Sequence, residues 1–375
     1  MATATTHTSS IAPDPARITA ILAETMRDPA LHGVPGRIPG SALALAGRTA
    51  GGERVDFLHG TTALADIPNA ISAPLGPEHR FDFASLSKLF VSVAALSVVD
   101  SGLIDPHAPL REIAPVASGP GSERLTLLNL LAHDSGLPAN TPFWHTDPTP
   151  EALWNNVLTM PLVREPGAAH EYSCIGYNIL GYILETATGQ GLAEIMSTRV
   201  LTPLGTRNTG YGPIDPARAV ATEVQGERGL VQGSVHDELC FALGRPSGNS
   251  GLFGTAEDAL ALGLMIVEGG RGARGRVLSP DSVSLLGTPR IFGENAAGRF
   301  GQAAGFRVRD AEFMGAVPGL GHTGFTGTML VVDPEHGSAV ALLTNRVHPG
   351  RARANVFPLQ RMVSELVCLP GGEVE

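Results

Sequence analysis

Lys88 is the only lysine in the chain; the other 25 residues of the Lys+Arg total of 26 are arginine. A guanidinium keeps its charge in any protein, whereas a desolvated lysine amine can lose its proton near neutral pH. Lys88 stands three residues after Ser85 in FDFASLSKLF. On a helix, positions i and i+3 share a face, so the Ser85 hydroxyl and the Lys88 amine can touch. A hydroxyl beside an amine that can release its proton is a nucleophile with its base. The competing reading is a solvated helix lysine with a serine upstream by chance. The flanks fit that poorly, since FDFASLSKLFVSVAALSVV is largely apolar and desolvates an amine.

A serine–lysine pair needs a proton relay and an oxyanion hole before it can transfer an acyl group. In EPGAAHEYSCIGYNILGYILE, Tyr172 opens a helical pattern just after a Pro-Gly turn, where its hydroxyl can face a cleft. A core tyrosine with a satisfied hydroxyl is the alternative. GLGHTGFTGTMLVVDP sets His322 on a Gly-rich strand edge, where a substrate can lie against the backbone and free N–H groups can bind an oxyanion.

Other signals are weaker. GLGHTG matches the dinucleotide pattern GxGxxG, but FTGTMLVVD after it alternates like a strand, and that motif requires a helix there. His236-Asp237-Glu238 point to alternate faces of an extended chain with no second His at i+4, so capping or loop hydrogen bonding is expected rather than a metal site. No metal and no cofactor is expected. Asn345 and Arg346 could hold a substrate carboxylate, since Arg binds one through two parallel hydrogen bonds; a structural salt bridge explains the arginine equally well.

The elements that must position these residues follow from period and punctuation. A helix is expected from Pro15 to Arg27, capped by Asp14. Strands are expected at Ser41–Ala46 and Arg54–Gly60 around a Gly-Gly turn. Ser85 should open a helix that runs to Ser101 and stops at Gly102. Helical patterns then dominate to about residue 290: Thr126–His133, Glu151–Leu158, Tyr172–Thr188, Leu192–Leu201 and Ala256–Glu268. The last third turns to short strands at Ala304–Val308, Gly327–Val332 and Ala339–Thr344, closed by a helix over Arg351–Val367. Strand-rich ends around a helical middle predict one sheet built from both chain termini. The expected division is 1–84 with 290–375 as the α/β sheet domain and 85–289 as a helical insert, with the site at their junction.

At 375 residues and 43% hydrophobic, the chain can bury a large core. A net charge of −10 and the lack of basic clusters interleaved with aromatics argue against a nucleic-acid partner. The start, MATATTHTSSIAPDPARITAIL, does not read as a secretory signal, and the longest near-apolar run, Leu89 to Val99, is too short to span a bilayer, so no membrane association is expected. Cys174, Cys240 and Cys368 are widely spaced, which fits a reducing cytoplasm rather than a disulfide framework.

Together, three segments resemble the serine β-lactamase and penicillin-binding-protein superfamily, on its class C-like and family VIII esterase branch. Ser85-Leu86-Ser87-Lys88 is similar to its Ser-x-x-Lys motif, Tyr172-Ser173-Cys174 to Tyr-x-Asn, and His322-Thr323-Gly324 to Lys/His-Thr/Ser-Gly. LLAHDSGLP, SVHDELCFALG, GNSGLFGTAEDAL and LLTNRVHP extend the likeness over roughly residues 35–365. The resemblance implies an α/β fold of the α+β type: an antiparallel sheet flanked by N- and C-terminal helices, with an inserted all-helical subdomain. It implies an acyl-Ser85 intermediate, with Lys88 as proton acceptor or as the charge that lowers the Tyr172 pKa. Tyr172 would be the proton shuttle and His322 would orient it or the substrate. An oxyanion hole from the Ser85 and Phe325 N–H groups is implied too, with Thr323 and Gly324 against the substrate. Cys174 stands where relatives carry Asn or Asp. A thiol is a weak donor, so ester or unusual amide donors are expected over β-lactams. A second-nucleophile role for Cys174 lacks an activating partner in the sequence.

The expected activity is acyl transfer from a small-molecule ester or amide to water, or to an amine or alcohol acceptor. A D-stereospecific peptidase or β-lactamase shares this machinery, and a non-catalytic ligand-binding or sensor module would keep the fold alone.

Overall fold

The computed structural model describes residues 14–34, 40–141, 144, 146–147, 149–353 and 355–371. Helix α1 spans Pro15–Arg27, with the Asp14 side chain accepting from the Ala16 N–H and Pro15 in the first turn. Strands β1 (Ala42–Arg48) and β2 (Arg54–Gly60) follow, then the short strand β3 (Phe81–Asp82). A 3-10 turn at Ala84–Leu86 leads into α2 (Ser87–Asp100). Next come α3 (Leu127–Leu131), α4 (Pro150–Leu158), α5 (Cys174–Thr188), β4 (Gly210–Tyr211), β5 (Leu252–Gly254) and α6 (Ala256–Val267). The C-terminal part holds β6 (Ile291–Asn295), β7 (Gly298–Gln302), β8 (Arg307–Val308), β9 (Leu320–Thr323), β10 (Met329–Asp333), β11 (Ser338–Thr344) and α7 (Phe357–Cys368).

The eight-stranded sheet has the order β6-β7-β8-β9-β10-β11-β1-β2, antiparallel throughout. The first strands therefore join the last ones, as the period change suggests: Leu43 pairs with Thr344 and Arg48 with Ala339. Central β1 and β11 are buried on both faces, whereas edge strand β2 buries Val55 and exposes most of its other residues. One face packs Leu43, Leu45, Val331 and Val340 under α1 and α7, through Ile18, Leu22, Leu359 and Val363. On the other face α6 crosses so closely that a Cβ at Gly263 would stand 3.1 Å from Leu330, Val332 and Ala339.

Between the two sheet-forming ends the chain is helical. Helix α2 buries residues all around its circumference, which makes it the axle of the helical layer rather than an amphipathic surface helix. Its residues share one hydrophobic core with α3, α4, α5 and the inner face of the sheet. The chain then returns to the sheet, which α6 covers, and β4 and β5 join β3 in a small three-stranded sheet. Among the described residues, no helix is long and apolar enough to cross a membrane.

Candidate active site

Ser85 sits on a strained turn at the foot of α2. Ala84 has φ +47°, a left-handed value that an alanine adopts at a cost of about 1–3 kcal/mol. Asp82 secures the turn: its fully buried carboxylate accepts from the Ala84 N–H at 2.8 Å and the His236 N–H at 2.7 Å. Burial pushes the Asp82 carboxyl up, and those two N–H groups pull against it.

Lys88, in the first turn of α2, is 0% exposed. Its Nζ donates to the Asn249 carbonyl at 2.8 Å and to Ser85 Oγ at 3.1 Å, and lies 3.6 Å from Cys174 Sγ. It also stands 4.9 Å from the ring centre of Tyr172 and 5.7 Å from that of Tyr177. Burial penalises the charge, but negative charge on Cys174 or Tyr172, where either ionises, outweighs it and raises the amine above the usual lysine range. Lys88 is thus placed as a cation with three acceptors and two aromatic faces. The Asn249 carbonyl arrives on the 248–251 segment, where Gly248 abuts α5 so tightly that a Cβ would collide with the Tyr177 carbonyl.

Tyr172 precedes α5, whose N-cap is Ser173. Its hydroxyl is buried and makes no hydrogen bond among the described residues. Burial raises the phenol pKa while the Lys88 charge pulls it down, and the balance keeps the phenol protonated. The Tyr172 and His322 rings are 5.7 Å apart. His322 Nδ1 lies 2.6 Å from the Thr323 carbonyl, so that nitrogen carries the ring proton and Nε2 is left with a lone pair. Nε2 is buried without a partner among the described residues. Burial, with Arg307 and Lys88 nearby, holds the imidazole well below the usual histidine range, so it is neutral.

The 323–328 turn is clamped onto the Ser85 turn. Thr326 Oγ1 donates to the Asp82 carbonyl at 2.8 Å and Thr328 Oγ1 to the Phe83 carbonyl at 2.9 Å. Gly324 lies against that same Phe83 carbonyl, leaving no room for a Cβ. A cavity of about 310 Å³ opens here, and Ser85, Tyr172, His322, Thr323, Gly324 and Phe325 line it. The wall also carries Arg307, Arg346 and Gln360 and, among the described residues, no carboxylate. Arg346 stacks on the Phe325 ring at 4.7 Å. Arg307 Nη1 pairs with Asp310 at 2.7 Å, and its Nε is buried without a hydrogen bond among the described residues.

The sequence-level candidates divide accordingly. Ser85, Lys88, Tyr172, His322 and Cys174 converge, and Thr323, Gly324, Phe325 and Arg346 line the cavity. Asn345 does not, which corrects its assignment to substrate binding. Its amide is spent on structure: Oδ1 accepts from the Ser41 and Ala42 N–H groups at 2.9 Å, and Nδ2 donates to Ser41 Oγ at 3.0 Å and the Ala221 carbonyl at 2.9 Å. Cys174 does have a cationic neighbour, Lys88, that its sequence context hid. His236 pairs with Glu223 at 2.9 Å and Asp237 caps the helix Glu238–Leu243, in line with a structural role for that triplet. The GLGHTG segment is strand β9 followed by a turn and β10 rather than a helix.

Three contributors escaped the sequence reading. Asn249 acts through a backbone carbonyl, which carries no side-chain signal. Asp82 reads as one acid in an apolar run. Arg307 sits on a two-residue strand whose register against Gly321, next to His322, only the pairing reveals.

Comparison with known proteins agrees with this architecture. A Beta-lactamase family model matches residues 20–363. A protein of Escherichia coli O157:H7 named "Putative D-alanyl-D-alanine carboxypeptidase" is 30% identical over 307 residues, covering 72% of this chain and 69% of that protein. The solved structure of EstCE1, described as a hydrolase with promiscuous acyltransferase activity, superposes with a TM-score of 0.71 at 20% identity, covering 94% of this chain and 97% of that one. A family VIII carboxylesterase gives a TM-score of 0.72 at 18% identity, covering 95% and 97%. The chain is an enzyme with the serine β-lactamase fold, and it belongs to the Beta-lactamase family.

Proposed function

We propose that the protein transfers an acyl group from a small ester or amide through an acyl-Ser85 intermediate, to water or to an amine or alcohol acceptor. The observation that carries this reading is the fully buried Lys88 amine 3.1 Å from the Oγ of Ser85, which lines the cavity. The ionised form of Tyr172, which the Lys88 charge favours, takes the Ser85 proton as Ser85 Oγ attacks the donor carbonyl. Lys88, already charged, faces the negative charge on that phenolate, a preorganised interaction that needs no rearrangement during reaction. The carbonyl oxygen takes up the electron pair between the Ser85 and Phe325 N–H groups. Collapse of the tetrahedral adduct breaks the bond to the leaving group, which takes the proton back along the same path. Water or an acceptor then repeats the sequence on the acyl-serine.

Arg346 on the cavity wall offers a guanidinium that a donor carrying a carboxylate could meet through two parallel hydrogen bonds. The free thiols Cys174, Cys240 and Cys368 suit a reducing compartment, and we place the protein in the cytoplasm. A D-amino-acid-releasing peptidase is the second reading, favoured by the name of the E. coli relative. The test is to treat purified protein with a fluorophosphonate or an activated ester and locate added mass by peptide mass spectrometry. Mass at Ser85, and none in Ser85→Ala, is expected; an unlabelled wild type or full turnover by Ser85→Ala would defeat the proposal. Activity on D-Ala-D-Ala peptides but on no ester would favour the second reading.

A further inference from the structure

Tyr172 is held on three sides by one residue outside the cavity wall. The Glu171 N–H donates to the His133 carbonyl at 2.8 Å, and the Ser173 N–H donates to His133 Nδ1 at 3.0 Å. Between those two bonds the His133 and Tyr172 rings pack with centroids 4.5 Å apart. We propose that His133 is a positioning residue that fixes the Tyr172 phenol against Lys88; this rests on the reading of Tyr172 as the proton relay.

The other side of His133 shows what the phenol is fixed to. Its ring packs on Tyr177 at 4.9 Å. The Tyr177 hydroxyl donates to the Leu131 carbonyl at 3.1 Å and lies 2.8 Å from Ser92 Oγ on α2, one turn beyond Lys88. A continuous chain of contacts therefore runs from the helix that carries the amine, through Tyr177 and His133, to the phenol. Because Nδ1 accepts from Ser173, the ring proton is on Nε2 and the imidazole is neutral. Burial, reinforced by the charge of Lys88, keeps it so by holding its pKa well below the usual range.

The backbone conformation points the same way. His133 is 1% exposed and has φ +55°, a left-handed value uncommon outside glycine that His tolerates better than most side chains. Such strain persists only where the surroundings over-determine it. Here the carbonyl and the ring are both committed to the two residues that flank the phenol. A residue needed only to fill space would carry neither commitment.

His133→Gly and His133→Asn test this without backbone strain, since both residues tolerate a left-handed φ. Glycine removes the ring and the Nδ1 acceptor, whereas the asparagine side-chain oxygen can still accept from Ser173. His133→Gly is expected to lower kcat about 10–100-fold with KM within about threefold, the penalty of a misplaced reacting group. His133→Asn should recover to within about fivefold of wild type, because the Ser173 bond is restored. In a Tyr172→Phe background, His133→Gly should cost less than about twofold more, since the group it positions is gone. Crystal structures should show the Tyr172 hydroxyl displaced in His133→Gly and restored in His133→Asn. Equal losses in both backgrounds, wild-type kcat in His133→Gly, or an unmoved hydroxyl would each overturn the proposal. The crystallographic readout needs no turnover, so a failure of the acyl-Ser85 reading, seen as an unlabelled wild type, stays distinguishable.

Discussion

Replacing Lys88 with methionine should make the protein more stable and nearly inactive. The amine is 0% exposed and no carboxylate pairs with it among the described residues. Burying an unpaired ammonium costs several kcal/mol even after relaxation. With the Tyr172 phenol protonated, the hydrogen bonds to Asn249, Ser85 and Cys174 and the two tyrosine faces offset only part of that. Met has similar length and no charge. It strands the Asn249 carbonyl at a cost of about 1–3 kcal/mol. It also releases the desolvation penalty, and the balance is a net gain of about 1–3 kcal/mol. Activity moves oppositely, because the cation facing the relay is gone; a fall of about 10³–10⁴ in kcat is expected from the usual worth of a positioned acid–base or charge-stabilising group. Urea unfolding reads the first quantity and hydrolysis of an activated ester the second. A loss of more than about 2 kcal/mol would show that the ammonium holds the helical layer together, the ordinary result of breaking a satisfied buried network. That outcome, or activity within tenfold of wild type, would refute the reasoning.

Tyr172→Phe should slow Ser85 acylation by about two to four orders of magnitude in a stopped-flow burst assay; a loss below about tenfold would remove the phenol from the proton path. Cys174→Asn supplies a stronger donor beside Lys88 and should raise the amide-to-ester ratio of kcat/KM, while an unchanged ratio would show that the position does not select the donor. His133, His170 and His322 are all held below the ordinary histidine value of 6.5, chiefly by burial. The unfolded chain therefore binds more protons than the folded one below about pH 6.5, so folding stability should be level above that pH and decline as the pH falls beneath it. Urea midpoints that stay constant from pH 8 to pH 5 would contradict the neutral burial of these rings.

The strongest periodic segments were legible. Helix α1 spans the expected Pro15–Arg27, and strand β2 the expected Arg54–Gly60. Both carry local signals: a capping Asp with Pro at the first turn, and a β-rich run after paired glycines. The helix expected from Ser85 begins instead at Ser87, because the left-handed Ala84 tightens the first residues into a 3-10 turn. Tyr172 likewise lies just outside its helix, since Ser173 takes the N-cap. Strands β6 and β7 went unread, because each is a five-residue run that carries Gly and few branched side chains, so neither alternation nor β-propensity marks it. At the site, side-chain motifs located Ser85, Lys88, Tyr172 and His322, whereas the Asn249 carbonyl and the His133 clamp depend on contacts distant in sequence that no local pattern encodes. Asn345 failed for the opposite reason, because an amide next to an arginine reads the same whether it meets a ligand or the protein's own backbone.

That asparagine has a mechanical consequence. One side chain at the end of β11 ties the entry of β1 to Ala221, so the first strand, the last strand and the loop that returns from the helical layer meet at a single knot. With the core also running unbroken from sheet to helices, heat should bring both halves apart in one cooperative endotherm rather than two.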